Sequence, residues 1–272
     1  MKSVFLVFSF LMIQLLVDGQ VIRKLNKVTT LQMPGRAGEN GGTVAVHGRT
    51  RNYYATIAGN KTFSLAIFNA LGERSSPADL AVLYDVRGLW YNQKAKTFYA
   101  NGFGKNGWCK YVMDEEGIPY DVAPLFEGQQ QPFPQSSGAY NQKENVVYFL
   151  KGSSAVAYDG ETGKELPEKR KLIKVGYTLK KPPPANFVAD TISNLPGYNN
   201  TSLIYTGLSN NELGILNVET REIELYSANT GLMSSRLQLP PEAVVREKLN
   251  FAFCNGVYWL YDAAARSWIG YR

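Results

Sequence analysis

Apolar positions along this chain fall into short runs of strand length, each ended by a turn that contains Gly, Ser, Asn or Asp. Residues 146–166, VVYFLKGSSAVAYDGETGKEL, show the pattern most clearly. An apolar run is followed by a Gly/Ser turn, a second apolar run and a tight turn that begins at Asp159. Short apolar and aromatic runs between such turns are typical of β-strands. The segment therefore predicts two strands and two turns.

The same unit recurs at a nearly constant spacing. An Asp or Asn after an apolar or aromatic residue marks the end of a strand at Asn69, Asp114, Asp159, Asn217 and Asp262. Successive markers lie 45 residues apart in three intervals and 58 apart in the interval before Asn217. Asp or Asn suits this position because its side chain can accept a hydrogen bond from the backbone two residues on. Residues 169–200, rich in Pro and Gly, predict a loop insertion in the longer interval.

Each unit also contains an earlier apolar strand and a strand after the marker, and four short strands per unit are typical of a β-propeller blade. One such sheet cannot bury both faces, whereas blades stacked around an axis bury them. The units predict an all-β propeller of five four-stranded blades in a single domain, residues 20–272. The leading residues 20–34 are predicted to pair with the C-terminal unit and close the ring. Six blades are the alternative, if the leader and the insertion build an extra blade.

Residues 1–19 have the composition of a signal peptide. Lys2 gives a positive start, and residues 4–17 are apolar except for Ser9 and Gln14. Val17 and Gly19 are small enough for a cleavage site. A membrane anchor is the alternative, but this apolar run is shorter than the ~20 residues that a spanning helix needs. The sequence therefore predicts a secreted, extracellular or periplasmic protein that is not an integral membrane protein.

Charge and residue content disfavour several kinds of site. The formal net charge of +6 is a modest excess that can attract an anionic partner. Cys109 and Cys254 lie in no CxxC motif and are expected to be unpaired, and His47 is the only histidine. A zinc site or a His-dependent triad therefore has little support. We expect a monomer that binds no nucleic acid, since no motif for it is present. Asn60, Asn199 and Asn200 begin glycosylation sequons, which matter if the export route is eukaryotic.

Two segments carry a resemblance to known propellers. NVVYFLKGSSAVAYDGETGKEL and LIYTGLSNNELGILNVETREIEL resemble the secreted and periplasmic propellers of the NHL, YVTN and SMP-30/gluconolactonase superfamily. SSGAYNQKENVVYFL is similar, more weakly, to Yellow/major royal jelly proteins. The resemblance implies a secreted propeller, normally six-bladed in both groups. It says little about activity, because no family-specific catalytic motif matches.

Ligands of propellers usually bind where the loops between strands b and c, and between d and the next a, crowd one end of the central channel. The predicted b–c loops are rich in Asn, Gly, Ser and Lys. Amide side chains donate and accept hydrogen bonds, and aromatic faces stack on sugars or contact peptides. This favours a binding or interaction protein for a glycan, a peptide or a small molecule. The alternative is a purely structural role, in which Asn and Gly allow the positive φ of tight loops and Trp packs between blades. The candidate ligand-binding residues are Asn60, Asn101, Asn106, Trp90, Trp108, Asn211 and Asn255.

A metal-dependent hydrolase of the lactonase or esterase type is the alternative function. The resemblance implies that such lactonases bind a divalent cation through Glu, Asn and Asp at this mouth, and Ca²⁺ would be needed only in this case. Hard cations require several oxygen ligands. The b–c loops offer only Glu212 nearby, so the d–a loops would have to supply the rest. Their candidates, which share no register, are Glu39, Asp79, Asp85, Glu127 and Asp190.

The a–b turns at the other end of the channel are predicted to be basic. A ring of cations there would attract an acidic glycan or a membrane surface. The alternative is that hairpin tips carry Lys and Arg for solubility and against edge pairing. The residues of this predicted basic face are Arg49, Arg51, Lys94, Lys96, Lys143, Arg246 and Lys248.

Overall fold

The computed structural model describes residues 22–35, 40–59, 65–77, 80, 82, 84–188 and 194–272. The strands before residue 145 are β1 (Ile22–Lys24), β2 (Lys27–Gln32), β3 (Asn40–Val46), β4 (Tyr53–Ala58), β5 (Leu65–Phe68), β6 (Val86–Asn92), β7 (Thr97–Gly102), β8 (Trp108–Met113), β9 (Pro119–Phe126) and β10 (Ala139–Asn141). The later strands are β11 (Val146–Lys151), β12 (Ser154–Asp159), β13 (Lys171–Leu172), β14 (Ile204–Tyr205), β15 (Leu213–Asn217), β16 (Glu222–Tyr226), β17 (Met233–Gln238), β18 (Phe251–Cys254), β19 (Val257–Asp262) and β20 (Ser267–Tyr271). Two 3₁₀ turns span Gly104–Asn106 and Pro167–Lys169. Nowhere in the described ranges does a helix have the length and apolar character needed to cross a membrane.

Five sheets surround a common axis. Their inner strands, β3, β6, β10, β14 and β18, lie next to one another in a closed ring. Each sheet continues outward from its inner strand, and we call the strands a to d from the axis and the sheets blades 1 to 5 in that order. The outer edge of blade 1 is a single bridge between Phe68 and Arg74, and blade 4 has a fifth strand, β1. The five-bladed all-β propeller is confirmed, and the six-bladed alternative is not.

The N-terminal strand closes the ring. β2 pairs antiparallel with β20 and supplies strand d of blade 5, with Thr30 opposite Ile269 and Gln32 opposite Ser267. The Ser267 hydroxyl also donates to Oε1 of Gln32 at 2.7 Å. β1 pairs parallel with β17, so the N-terminal segment joins blades 4 and 5. Closure of this kind removes a free sheet edge.

The predicted repeat register is wrong by one strand in the last two units. In blades 1 to 3 the marker lies at the end of strand c, as predicted, but Asn217 and Asp262 end strand b. Residues 243–245, predicted as the first strand of the fifth unit, precede β18 and form no strand. In blade 5 the reason is that the N-terminus supplies strand d, so the C-terminal unit needs only three strands of its own. In blade 4 the first strand, β14, begins only after the insertion, at Ile204, so β15 is strand b. Asp and Asn also stabilise a turn between strands b and c as well as one between c and d, so the marker residue does not identify the strand that it ends.

The marker side chains stabilise their turns as predicted. Asp159 Oδ1 accepts hydrogen bonds from the backbone N–H groups of Glu161 and Thr162 at 2.9 and 2.7 Å. Asp262 Oδ1 does the same for Ala264 at 2.9 Å. Burial of Asp159 opposes ionisation, but the Thr162 and Glu161 amides outweigh it and lower the pKa of this carboxyl. Asp159 is therefore a charged turn residue.

Buried apolar side chains of the described chain form five clusters, one between each pair of neighbouring blades. Strand β11 shows how the sequence produces them. Val147 and Phe149 pack toward blade 2, whereas Tyr148 and Leu150 pack toward blade 4. The period of two thus buries both faces of the blade. Burying one such side chain contributes about 1.5–3 kcal/mol, so the contacts between blades hold the ring together.

Residues 169–200 are the predicted insertion, between blades 3 and 4. After β13, the described part of this stretch contains only isolated bridges, at Thr178 and Tyr198. The rings of Tyr177 and Phe187 meet edge to face with centroids 5.4 Å apart. The Tyr198 hydroxyl donates to the buried Glu224 carboxylate at 3.1 Å. These contacts pack the insertion on itself and onto blade 4.

Candidate functional site

An axial cavity of about 220 Å³ lies between the five inner strands. Every blade contributes strand a to its wall, and blades 1 to 3 also contribute residues of their a–b turns. Arg51, Gln93 and Gln142 belong to those turns, line the cavity and are exposed. The polar end of the cavity therefore faces solvent on the a–b side of the ring.

Aromatic side chains surround this end of the cavity. Four of the five inner strands place an aromatic residue at a matching position near their a–b end, and blade 1 places Val46 there. The aromatic residues are half-buried and are Tyr91, Tyr140, Tyr205 and Phe253. Burial raises the pKa of Tyr140 and of Tyr205. Both hydroxyls therefore stay protonated at neutral pH, and that of Tyr140 donates to Oδ1 of Asn145 at 2.9 Å.

Arg51 is the one cation among the described residues of the cavity wall. It donates a hydrogen bond to Oδ1 of Asn255, whose Nδ2 group donates to the Tyr53 hydroxyl at 3.0 Å. A guanidinium carries five N–H donors, and Arg51 is exposed, so donors that Asn255 does not use are accessible to a ligand. Cys254 beside it is a free thiol, as is Cys109, and both are unpaired as expected. Burial raises the pKa of Cys254 to about 12, so this thiol is neutral.

Short-range caps fix the shape of the a–b turns. In blade 2, Asn92 Oδ1 accepts the backbone N–H groups of Lys94 and Ala95, both at 3.0 Å. In blade 1, His47 Nδ1 takes the same place and accepts the N–H groups of Arg49 and Thr50, both at 3.2 Å. His47 is thus a turn residue. Burial, with the nearby Arg49 charge, lowers its pKa and keeps it neutral.

The predicted ligand-binding asparagines do not share one end of the channel. Asn106 lies in the b–c loop of blade 2, but Asn211 and Asn255 lie in a–b connections because of the register shift in blades 4 and 5. Asn211 is half-buried, and its Oδ1 accepts the hydroxyls of Ser234 and Ser235 at 2.8 and 2.7 Å. Asn106 is exposed. Asn60 lies outside the described residues.

Three of the predicted ligand contacts are buried between blades 2 and 3. Asn101 is fully buried, and its amide donates to the Ser136 carbonyl at 2.8 Å and accepts the Gly138 N–H at 3.2 Å. Trp90 and Trp108 are 3% and 0% exposed, and their rings meet edge to face at 5.2 Å. These contacts hold the two blades together, and Trp90 is also among the residues that line the axial cavity. The bulk of the two indole rings and the amide hydrogen bonds of Asn101 serve the interface.

The predicted basic face divides between the two ends of the channel. Arg246 and Lys248 precede strand a of blade 5 and lie in a d–a connection, where the Arg246 carbonyl accepts Nδ2 of Asn199 at 2.9 Å. The other members lie in the a–b turns of blades 1 to 3 and are exposed, namely Arg49, Arg51, Lys94, Lys96 and Lys143. Lys94 pairs with Glu161 at 2.5 Å, which raises the pKa of this ammonium group.

The carboxylates proposed for a cation site are not brought together in the described chain. Asp85 pairs with Arg87 and accepts the Gly59 N–H at 2.8 Å. Glu127 is exposed, and Glu212 accepts the Ala228 N–H at 3.0 Å. Glu39, Asp79 and Asp190 lie outside the described residues. Across the ranges that the structure describes, no three His, Cys, Asp or Glu side chains are grouped as a metal ion requires.

Sequence reasoning missed the tyrosines and glutamines of the cavity. The signal was the tetrapeptide YNQK, which occurs twice, as residues 91–94 and 140–143. In both copies Tyr and Gln line the cavity, Asn caps the turn and Lys lies at its tip. The repeated motif therefore marks the two blades whose turns contribute most clearly to the cavity.

No family model and no curated protein matches the sequence. A chain in the crystal structure of a nidogen/laminin complex matches with 9% identity and a TM-score of 0.40, over 72% of this chain and 62% of that chain. A structural-genomics protein of unknown function from Bacteroides thetaiotaomicron matches with 10% identity and a TM-score of 0.46, over 88% of this chain and 58% of that chain.

The chain thus spans about 60% of the length of these solved structures. The class of the protein rests on its own five sheets and closed ring of inner strands. It is a β-propeller, a fold compatible with a binding or interaction role in general.

Proposed function

We propose that the protein is a secreted binding propeller that takes an acidic sugar into the a–b end of its axial cavity. The single observation that carries the proposal is the convergence of Arg51, two glutamine amides and half-buried aromatic rings on one open cavity. A carboxylate-bearing sugar matches this set. Arg51 pairs with its charge, the amides bond its hydroxyls, and the aromatic rings contact its apolar face.

The size of the cavity sets the size of the ligand. Pockets for drug-sized ligands usually measure about 300–1,000 Å³, whereas this one measures about 220 Å³. A single sugar unit fits such a space better than an oligosaccharide. A longer chain would extend over the rim, past the cations of the a–b turns such as Lys96 and Lys143.

Charge decides the specificity. A hydrogen bond to a charged group contributes about 1.5–3 kcal/mol, which corresponds to roughly 10–100-fold in affinity. We therefore expect glucuronic acid to bind at least tenfold more tightly than glucose. Export is part of the proposal and rests on the leader pattern of residues 1–19. It agrees with the proposed ligand, since a secreted protein encounters acidic sugar chains.

The test is a calorimetric or NMR titration with glucuronic acid and with glucose. Arg51→Ala should weaken glucuronic acid binding about tenfold or more and leave the weak glucose binding unchanged. Arg49→Ala is the matched control, since it removes the same charge from the same turn and Arg49 does not line the cavity. Equal losses in the two variants would mean that only general charge attraction is at work, and the proposal would fail.

A further inference from the structure

A second cavity, of about 260 Å³, lies between the outer strand of blade 3 and the c–d turn of blade 4, away from the axis. Its first wall is the segment that follows the 3₁₀ turn Pro167–Lys169. Its second wall is the turn between β16 and β17. The residues that matter here are Arg170, Lys171 and Lys174 on the first wall and Asn229, Thr230 and Gly231 on the second.

Three of the wall residues are cations that form no ion pair with any residue of the described ranges. Lys169, next to them in sequence, is paired with Glu144 at 3.4 Å. In the described part of the chain, no carboxylate lies within ion-pair distance of Arg170, Lys171 or Lys174. All three are half-buried, so water screens their mutual repulsion less than at an open surface. An anion in the cavity would relieve that repulsion.

Hydrogen bonds keep the first wall in place. Lys171 lies in β13, where it pairs with Ala155 of β12. The Ile173 N–H donates to the Ser153 carbonyl at 2.9 Å. Arg170 Nη2 donates to the Ser154 hydroxyl at 2.7 Å, which orients the guanidinium. The cations are therefore attached to a fixed backbone, as a binding site requires.

The two walls also hold each other. The Lys174 N–H donates to the Gly231 carbonyl at 2.8 Å. Gly231 has φ +70, and a Cβ there would lie 2.7 Å from the Leu172 carbonyl oxygen, so only glycine allows this approach. Asn229 and Thr230 beside it are exposed and add neutral donors to the rim. Cations on one wall thus face polar groups on the other.

We propose that this cavity binds a sulfate or phosphate monoester group. Three cations suit a group with up to two negative charges and three terminal oxygens better than they suit a carboxylate. Arg170 offers a planar fork, and the two lysines offer point charges that adapt to the remaining oxygens. The group could come from a sulfated sugar or from a phosphorylated small molecule, which share this chemistry. The site is separate from the axial cavity and does not depend on the acidic-sugar proposal.

The experiment is an NMR titration of the full chain at low ionic strength with glucosamine 6-sulfate, with glucose 6-phosphate and with glucose. We expect either ester to bind and glucose not to bind. Tighter binding of the sulfate would identify a sulfated sugar as the source, and tighter binding of the phosphate a phosphorylated one. If neither ester binds more tightly than glucose, the proposal is overturned.

Variants separate a site from general charge attraction. The double variant Lys171→Ala/Lys174→Ala should lose about tenfold or more in ester affinity. Lys105→Ala/Lys110→Ala removes the same charge from exposed positions of blade 2 and should change affinity by less than about twofold. Equal losses would overturn the proposal.

If the first double variant does not fold, Lys174→Gln alone gives the same comparison against Lys110→Gln. Arg51→Ala should leave ester binding at this cavity unchanged, so a failure of the axial site and a failure of this one are distinguishable.

Discussion

Arg51 of blade 1 donates a hydrogen bond to Oδ1 of Asn255 in blade 5. The contact joins the first and the last a–b connection of the chain beside the axial cavity. Because Asn255 also donates to Tyr53 at 3.0 Å, it links two residues of blade 1 at once. The ring is therefore closed at the axis by these side chains as well as at the rim by β2.

The first prediction concerns the stability of that inner closure. Asn255→Gly removes both hydrogen bonds but keeps the left-handed backbone, which Asn255 adopts with φ 53. We expect the free energy of unfolding to fall by about 1–2 kcal/mol in a urea titration. Asn210→Gly is the control, because Asn210 has φ 64, is exposed and lies in another a–b connection. It should change stability by less than about 0.5 kcal/mol. An Asn255→Gly variant as stable as this control would contradict the linking role.

The second prediction separates two asparagines that the sequence makes look alike. Asn101→Ala leaves the buried Ser136 carbonyl and Gly138 N–H without their partner. It should lower the free energy of unfolding by about 2–3 kcal/mol. Asn106→Ala, at an exposed position five residues later, should change it by less than about 0.5 kcal/mol. Thermal and chemical denaturation of the two variants would check this, and similar losses in both would show that Asn101 does not hold blades 2 and 3 together.

The third prediction is a pH dependence that arises from His47. Its folded pKa lies below the ordinary value of 6.5 because of burial and the Arg49 charge. The folded state therefore binds fewer protons than the unfolded state below about pH 6.5. Stability is full above that pH and falls as the pH drops, since protonation removes the Nδ1 acceptor of the turn. The rings of Tyr54, Tyr91 and Phe98 pack around His47 and offer no negative charge.

His47→Asn is the matched variant, because Asn92 and Asn141 cap the corresponding turns of blades 2 and 3. It should keep the turn and reduce the loss of stability between about pH 7 and pH 5. The measurement is the unfolding free energy of both proteins at the two pH values. The same pH dependence in both would show that His47 is not its source.

The fourth prediction tests ring closure at the rim. Leu31 in β2 is fully buried in the cluster between blades 5 and 1. Leu31→Ala should lower the free energy of unfolding by about 2–5 kcal/mol. Val28 in the same strand is 52% exposed, and Val28→Ala should have an effect below about 0.5 kcal/mol. If Leu31→Ala lowers the free energy of unfolding in a urea titration by no more than Val28→Ala does, β2 does not stabilise the closed ring.

The fold could be predicted from the sequence because turn chemistry and strand alternation repeat in every blade. Asn69, Asp114 and Asp159 each accept a hydrogen bond from a backbone N–H two to four residues on, so residue type alone predicts these turns. The order of strands within blades 4 and 5 could not be predicted in the same way. Asp262 has the same turn chemistry wherever its hairpin lies in a blade, and only the long-range pairing of β2 with β20 decides that it ends strand b.

The candidate site was predicted only in part, for a related reason. Residue type cannot distinguish Asn101, which is buried between blades, from Asn106, which is exposed. The difference depends on the d–a connection that reaches Asn101 from 35 residues away. Arg51 was predicted as a cation of the a–b turns, but its contact with Asn255 depends on the corrected register.

The central claim is that an acidic sugar binds at the a–b end of the axial cavity. The most direct measurement is methyl NMR of the full chain during titration with glucuronic acid. Val46 lies at the a–b end of strand a and lines the cavity, whereas Val86 begins strand a of blade 2 at the opposite end. We expect a saturable shift of the Val46 methyl groups and none at Val86. A shift at Val86 with Val46 unchanged, or no saturable shift at either, would contradict it.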